Sequence, residues 1–273
     1  MEARRSARAR RLSLLADILA TKQREVAALR ARARVGSVRT PVDAFGALRR
    51  AGDAPLRLVT EVKLRSPSAG VLSRALAPGE RAVAYAEAGA AMVSVLSDVA
   101  YFDGSWEHVA AARKSLDHAG YAIPVLAKDY VVDERQIMEA RDRGADAILL
   151  IARIVDAVEL ARLARCARAE AVEPLVEVVD EGELDAALAA GARIVGVNAR
   201  DLDTLAMDVG RAARVCAAIP TGVVAVHLSG LREAADVAKI ARGRADAALV
   251  GEALMRDDDP RPRLRAMLEA TRP

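Results

Sequence analysis

Two opposite charges close an apolar run near residue 60, in the stretch LVTEVKLRSPSAG from Leu58 to Gly70. The run is typical of a buried strand, yet it ends with Glu61 and Lys63 before a Ser-Pro-Ser loop begins. Side chains alternate along a strand, so Glu61 and Lys63 point to one side and Val62 to the other. The pair is either a structural ion pair in the core or a source of charge for a pocket.

The scarcity of lysine favours the interpretation that the charged pair belongs to a pocket. Arginine supplies most of the positive charge, and the chain has only five lysines: Lys22, Lys63, Lys114, Lys128 and Lys239. Two of them, Lys63 and Lys128, end apolar runs, which indicates a need for a compact ammonium that loses a proton or acts as a point charge. A lysine whose pKa is lowered toward neutrality by its surroundings would serve as a general acid.

Polar residues close the later apolar runs as well. They are Lys128 with Asp129, Glu177, Asn198 with Arg200, Ser229 with Gly230, and Gly251 with Glu252. The last two runs each place a Gly before a predicted helix, where free N–H groups and the helix dipole suit a phosphate. Two lysines and two glutamates beside a phosphate site predict acid–base chemistry on a sugar phosphate.

The elements that must position these residues alternate between two kinds. Eight largely continuous apolar runs predict strands buried on both faces, as in a parallel sheet; they are LRLVTEVK, AAMVSVLS, IPVLAK, ADAILLIA, EPLVEVV, ARIVGVNA, GVVAVHLS and ADAALVGE. Helix-period segments separate them, three of which end at Gly89, Gly144 and Gly191. The pattern predicts a (β/α)8 TIM barrel with an additional N-terminal helical segment, its active site at the C-terminal strand ends. A doubly wound sheet is the runner-up, but no G-x-G-x-x-G or P-loop fingerprint occurs.

Length and composition fit one large domain. At 273 residues and 53% apolar content the chain can bury a large core. We expect residues 1–50 to form a helical extension packed on the barrel, with a first helix from about Leu12 to Arg32, and residues 51–273 to form the catalytic barrel. A cluster of arginines between Arg4 and Arg11 is interpreted as a basic lead into that helix, flanking or covering the barrel mouth. We expect no fused domain after the barrel.

Several partner classes are disfavoured. Aromatic content is 3% and charges of both signs alternate, at a net charge of +3, which gives little support to nucleic-acid binding. Cys166 and Cys216 are isolated and the three histidines are far apart, so no metal site and no disulfide are expected. No signal peptide or long apolar run occurs, so we expect a cytoplasmic protein without a membrane partner.

The motifs match a known family in order along the chain. EVKLRSPSAG resembles the E-x-K-x-x-S-P-S-x-G signature of indole-3-glycerol phosphate synthases. The resemblance spans about residues 58 to 256, through the segments FDGS, LAKDY, LVEV, VGVNARDL, LSGL and LVGEALMR. It implies a carbon–carbon lyase of tryptophan biosynthesis that converts 1-(2-carboxyphenylamino)-1-deoxyribulose 5-phosphate to indole-3-glycerol phosphate, losing carbon dioxide and water.

The resemblance also implies roles by position. Lys128 resembles the general acid, Lys63 the cation that holds the substrate carboxylate, and Glu61 and Glu177 the carboxylates that stabilise the cationic intermediate and move protons. Substrate-positioning and phosphate-binding roles fall on Asn198, Arg200, Ser66, Ser229, Gly230, Gly251 and Glu252. No cofactor or metal is implied, and the partners are a phosphorylated small molecule and possibly other tryptophan-pathway enzymes.

Three positions depart from the family pattern. Leu228 stands where the family has Glu, His227 precedes it in place of a small residue, and Ala199 replaces the second Asn of N-N-R. Leu228 removes one acidic group from the pocket. By strand alternation His227 faces away from Leu228 and is interpreted as a structural histidine.

Three alternatives remain beside the main interpretation. Leu228 motivates a paralogue that acts on a substituted anthranilate adduct in secondary metabolism. Leu228 is also the only support for a second alternative, a non-catalytic barrel that serves as a binding protein or partner subunit. The presence of Glu61, Lys63, Lys128 and Glu177 argues against it. A related barrel such as a sugar-phosphate isomerase is disfavoured, since the Ser-Pro-Ser and Lys-Asp-Tyr motifs have no evident role there.

Overall fold

A closed barrel of eight parallel strands forms the body of the molecule. The computed structural model describes residues 2–29, 39–66, 70–201 and 206–272, with side chains from residue 15 onward. Strands one to eight, in chain order, are Arg57–Val62, Met92–Leu96, Val125–Lys128, Ala147–Ile151, Glu173–Val178, Ile194–Val197, Val224–His227 and Ala247–Val250. Strand one pairs with both strand two and strand eight, which closes the barrel. Each strand lies within one of the eight predicted apolar runs, so the predicted (β/α)8 barrel is confirmed.

A principal helix follows each strand on the outside of the barrel. These helices are Pro78–Ala88, Trp106–His118, Glu134–Asp142, Ala157–Ala169, Glu181–Ala189, Val209–Ala218, Ala234–Ala241 and Arg261–Glu269. Gly89, Gly144 and Gly191 follow three of them with φ values of +103°, +85° and +74°. Such left-handed backbone ends a helix and favours glycine, which confirms the three predicted helix stops.

Short elements occupy the connections at the C-terminal ends of the strands. A hairpin of Arg65–Ser66 and Gly70–Val71 follows strand one. Short helices or turns follow strands two, four and eight at Val99–Phe102, Ala152–Ile154 and Glu252–Met255. The Pro67 and Ser68 portion of the Ser-Pro-Ser loop lies outside the described residues.

Alternation along each strand divides the core into two layers. Val59, Met92, Leu126 and Leu175 belong to a cluster inside the barrel. The intervening positions, among them Leu58, Val93 and Ala127, pack against the surrounding helices in a larger cluster. Both faces of the sheet are therefore apolar, which explains why the strand sequences show near-continuous apolar runs.

The N-terminal segment contacts both ends of the barrel. A helix Glu2–Ala28 precedes a short helix Ala44–Leu48, whose Ala44 and Leu48 side chains join the cluster inside the barrel and close its N-terminal end. The long helix begins at Glu2, so the arginine cluster lies within it rather than leading into it, and its predicted end at Arg32 falls outside the described residues. Across the described ranges, no helix combines the length and apolarity needed to cross a bilayer.

The long helix packs against the barrel through one stripe. Among residues 15–28, whose side chains are described, Ile18, Lys22 and Val26 are buried, four positions apart and therefore on one face. A lysine thus occupies the centre of the buried stripe. Two of its partners, described below, come from the loops that follow strands two and three.

Candidate active site

Glu61 lies between two ammonium groups at the C-terminal end of the barrel. Its Oε2 is 2.5 Å from Lys63 Nζ, and its Oε1 is 3.4 Å from Lys128 Nζ. Glu61 belongs to strand one, and Lys63 is the first residue after that strand. Lys128 is the last residue of strand three. The paired charges seen in the sequence therefore share one pocket and extend to the second strand-end lysine.

The surroundings of Glu61 favour its ionised form. Burial opposes its ionisation, but Lys63 and then Lys128 outweigh burial and lower the pKa of the Glu61 carboxyl group to about 2. The Tyr85 hydroxyl donates a 3.1 Å hydrogen bond to the Glu61 backbone carbonyl from the helix layer. Glu61 is therefore a permanent anion, fixed at both its backbone and its side chain.

Glu177, on strand five, behaves in the opposite way. Asn198 Nδ2 donates to Glu177 Oε1 at 2.8 Å, and the carboxylate is 3% exposed. Burial raises the pKa of Glu177, and attraction to Lys128 and the Asn198 hydrogen bond offset this only in part. One pocket therefore contains two carboxylates whose proton affinities are pushed apart, which is the arrangement expected of an acid–base pair with different roles.

Lys128 carries its proton between these two acids. Burial disfavours the charge, yet Glu61 and then Glu177 attract it more strongly and raise the pKa of the ammonium above its usual value. The structure thus keeps Lys128 charged rather than lowering its pKa toward neutrality. Such a lysine donates its proton only to a group that becomes basic during the reaction, such as a developing alkoxide.

Asn198 connects Glu177 to the ends of strands six and seven. Its Oδ1 accepts a 2.9 Å hydrogen bond from the backbone N–H of Arg200, and the same N–H contacts Ser229 Oγ at 3.2 Å. Gly230 follows Ser229 in a left-handed conformation, at φ +89°, on the surface. The ends of strands six and seven thus lie together as predicted.

Three further residues predicted to bind the phosphate lie in different surroundings. The Glu252 side chain accepts a 2.8 Å hydrogen bond from Arg256 at the surface, so its backbone amide is the group that suits an anion. Ser66 is buried in the hairpin after strand one. Gly251 is pressed against Glu61, since a Cβ on it would lie 2.5 Å from Glu61 Oε2.

The three departures from the family pattern lie in different environments. Leu228 joins the cluster inside the barrel, and a Cβ on Gly196 would lie 2.5 Å from its Cδ1. His227 is buried outside that cluster, and its Nε2 donates to the Ser229 carbonyl at 2.7 Å; its structural role stays a prediction. Ala199 packs in the helix-facing layer.

Sequence reasoning missed a buried cluster beside the site. Lys22, from the N-terminal helix, lies 2.8 Å from Asp98 Oδ2 and 2.7 Å from Asp129 Oδ1. Asp129 follows Lys128 directly in the chain. The scarcity of lysine, which pointed to Lys63 and Lys128, applies equally to Lys22 and could have identified it.

A buried hydroxyl was also missed. Ser94 pairs in register with Glu61 on the neighbouring strand two and is fully buried. Its Oγ has no hydrogen-bond partner among the described residues. No sequence signal distinguishes it from the other small residues of that strand.

Within the described ranges, no group of three or more His, Cys, Asp or Glu side chains is arranged to hold a metal ion. Glu61 is paired with Lys63 and Lys128, and Glu177 with the Asn198 amide. Carboxylates and ammonium groups so placed can transfer protons and stabilise charge.

Fold and site together define an acid–base enzyme of the (β/α)8 class, with lysine and glutamate at the strand ends. Comparison with known proteins is more specific: the family model "Indole-3-glycerol phosphate synthase" matches residues 15–267. The chain belongs to the indole-3-glycerol phosphate synthase family.

Individual relatives agree along most of the chain. A Parafrankia sp. (strain EAN1pec) protein named indole-3-glycerol phosphate synthase is 43% identical over 244 residues, covering 89% of this chain and 88% of its own. Indole-3-glycerol phosphate synthase 2 of Streptomyces coelicolor is 46% identical over 218 residues, covering 80% and 81%. The Mycobacterium tuberculosis H37Rv synthase is 40% identical over 246 residues, covering 90% and 87%.

Solved structures show the same fold at much lower identity. A crystal structure of 3-hexulose-6-phosphate synthase superposes with a TM-score of 0.61 at 16% identity, covering 79% of this chain and 99% of that one. The Salmonella typhimurium enzyme of the same name gives 0.59 at 14% identity, covering 79% and 98%. These similarities establish the barrel and carry no statement about activity.

Proposed function

We propose that this protein catalyses the ring closure of 1-(2-carboxyphenylamino)-1-deoxyribulose 5-phosphate to indole-3-glycerol phosphate, with release of carbon dioxide and water. The relatives carry the name of this synthase, and the reaction makes the protein a decarboxylating and dehydrating carbon–carbon lyase. One observation carries the proposal: the Glu61 carboxylate bridges Lys63 and Lys128, while Glu177, whose carboxyl group holds a proton more readily, lies near enough to Lys128 to attract its charge.

The first step forms the carbon–carbon bond. The ring carbon that bears the carboxylate attacks the ketone carbon, and Lys128 donates its proton to the ketone oxygen as that oxygen gains charge. The aryl ring becomes cationic, and the ionised, buried Glu61 stabilises it. Lys63 holds the substrate carboxylate as a point charge until the next step.

The second and third steps restore aromaticity. The carboxylate leaves as carbon dioxide, and the electron pair of the broken bond returns to the ring. A hydroxyl group then leaves the new ring carbon as water, and the neighbouring carbon loses a proton. Glu177 is suited to this exchange because the raised pKa of its carboxyl group lets it take up and release a proton.

Substrate positioning falls to the remaining strand ends. We assign the phosphate to Ser66, Ser229 and the backbone of Gly230, Gly251 and Glu252, with Asn198 and Arg200 positioning the reacting part. The Asn198 amide donates to Glu177 while its carbonyl accepts from the Arg200 N–H, which links the two groups. The scheme uses no cofactor.

We further propose the division of the chain into an N-terminal extension, residues 1–50, and a catalytic barrel, residues 51–273. Ala44 and Leu48 close one end of the barrel, and Lys22 docks at the other, which supports treating residues 1–50 as an accessory of one domain. We propose a cytoplasmic site of action, where other tryptophan-pathway enzymes are possible partners.

The test is turnover of the purified protein with this substrate. Indole fluorescence follows the product, and trapped carbon dioxide gives the stoichiometry, which the scheme sets at one per product. Folded protein that binds the substrate and releases neither product overturns the proposed activity in favour of a binding role. Leu228 fills the space over Gly196 and Leu175, so we expect a lower kcat/KM for ring-substituted substrates than for the plain one.

A further inference from the structure

The N-terminal helix inserts one ammonium group into the loops beside the candidate general acid. Lys22 Nζ contacts three carboxylates, at 2.7 Å from Glu25 Oε2, 2.8 Å from Asp98 Oδ2 and 2.7 Å from Asp129 Oδ1. The Glu25 carboxylate accepts a hydrogen bond from the ammonium, whereas Asp98 and Asp129 lie at ion-pair distance, and Asp98 Oδ2 has no hydrogen-bond partner among the described residues. The side chain is 1% exposed, and those of Asp98 and Asp129 are 0% and 3% exposed.

These contacts join three segments that are distant in sequence. Asp98 belongs to the loop after strand two, where it also accepts the Tyr101 backbone N–H and begins the short helix Val99–Phe102. Asp129 follows strand three and accepts the Tyr130 N–H and the Ser97 hydroxyl. Lys22 is the cation common to both loops.

The same network holds the backbone of Lys128. Its carbonyl accepts the Ser97 N–H at 3.1 Å, and the next residue, Asp129, is bound by Lys22 and by Ser97 Oγ at 3.3 Å. Strand pairing ends at Lys128, so these polar contacts determine the course of the chain just beyond it. A shift of Asp129 would move the backbone from which the Lys128 ammonium reaches Glu61.

An apolar residue would suffice if the helix only needed to dock. Ile18 and Val26 lie one turn on either side of Lys22 on the same buried stripe. A buried ion cluster typically stabilises no more than an apolar replacement, but it requires one geometry of its partners. The use of lysine here therefore points to a requirement for position rather than for stability.

We propose that Lys22 is a positioning residue for the reaction: by binding Asp98 and Asp129 it fixes the loops after strands two and three and, through Asp129, the placement of Lys128. The inference rests on the proposed function, because it assigns Lys128 as the proton donor. It makes the N-terminal helix a part of the catalytic mouth.

The test is the Lys22→Met variant, assayed well below its melting midpoint. We expect kcat to fall by about 10- to 100-fold, as for a small misplacement of a catalytic group, with KM within about twofold of the parent value. The matched control is Glu25→Gln, which removes the negative charge of the more exposed partner of the same ammonium and should leave kcat unchanged. The parent protein in the same assay reports the proposed function separately.

Two results would overturn the proposal. One is a lower melting midpoint with a parental kcat, since a purely structural residue behaves in that way. The other is an equal loss of kcat in Glu25→Gln. If Lys22→Met does not fold, the variant Lys22→Met with Asp98→Asn relieves the repulsion between the two buried carboxylates, and a parental kcat there overturns the proposal equally.

Discussion

The Glu61 carboxylate occupies the space that a side chain at residue 251 would need, since a Cβ on Gly251 would lie 2.5 Å from Glu61 Oε2 and 3.2 Å from Glu61 Cδ. The backbone of Gly251, just after strand eight, thus packs directly against the Glu61 carboxylate, which lies between its two lysines. A glycine that seemed from the sequence to serve a phosphate also makes room for the central carboxylate.

Gly251→Ala should displace Glu61 and separate it from Lys63 and Lys128. Because misplacing a group that stabilises charge in the transition state is costly, we expect kcat to fall by about 100-fold. Gly222→Ala is the control, since nothing lies within 4 Å of a Cβ at that exposed turn. Steady-state kinetics on both variants decide the matter, and parental rates for Gly251→Ala would show that Glu61 has room to move.

Glu177→Gln should raise stability at neutral pH while lowering activity. A carboxyl group whose pKa is raised by folding makes the protein less stable as pH rises through its unfolded value near 4.5 toward its folded value. A neutral amide removes that cost and also removes the proton exchange of the dehydration step. Thermal melts at neutral and acidic pH measure the first effect, and the gain should vanish at acidic pH; a lower melting midpoint at neutral pH contradicts the account.

Glu61→Gln also removes one carboxylate charge, but it should lower stability at neutral pH, whereas Glu177→Gln should raise it. The pKa of Glu61 is lowered by folding from 4.5 to about 2, so its stabilisation is present above about pH 4.5 and is lost as pH falls through about 2. We expect a loss of about 3 kcal/mol at neutral pH. Urea unfolding of the two Gln variants side by side tests this, and a shift of the same sign in both would refute the contrast between the two carboxylates.

Leu228→Glu should introduce a buried charge into the barrel interior beside Leu175. We expect about 2 kcal/mol of destabilisation at neutral pH, with recovery at mildly acidic pH as the carboxyl group takes a proton. Leu228→Gln has a similar size without the charge and should show no such recovery. Melting midpoints across pH make the comparison; identical pH dependence in the two variants would mean that the position is solvated.

The strands and the paired charges could be predicted from the sequence for a definite physical reason. Strands covered on both faces read as continuous apolar runs, so each polar residue at a run's end stood out, as Glu61 and Lys128 did. The helix ends at Gly89 and Gly144 could also be predicted from the sequence, because left-handed backbone favours glycine.

Other features depend on contacts that no local pattern encodes. Lys22 meets Asp98 and Asp129 only after the barrel has closed, and the helix that carries it shows no apolar periodicity that would mark the position as buried. The opposite pKa shifts of Glu61 and Glu177 arise from how many cations each one faces, which the strand-end position does not reveal.

Replacement of Lys128 by Ala tests the central claim most directly. The account predicts that Lys128→Ala abolishes indole fluorescence and carbon dioxide release from the carboxyphenylamino-deoxyribulose phosphate, while Lys114→Ala, which removes an exposed lysine, retains the parental rate. Undiminished turnover by Lys128→Ala would contradict it, because no proton donor would then be needed between Glu61 and Glu177.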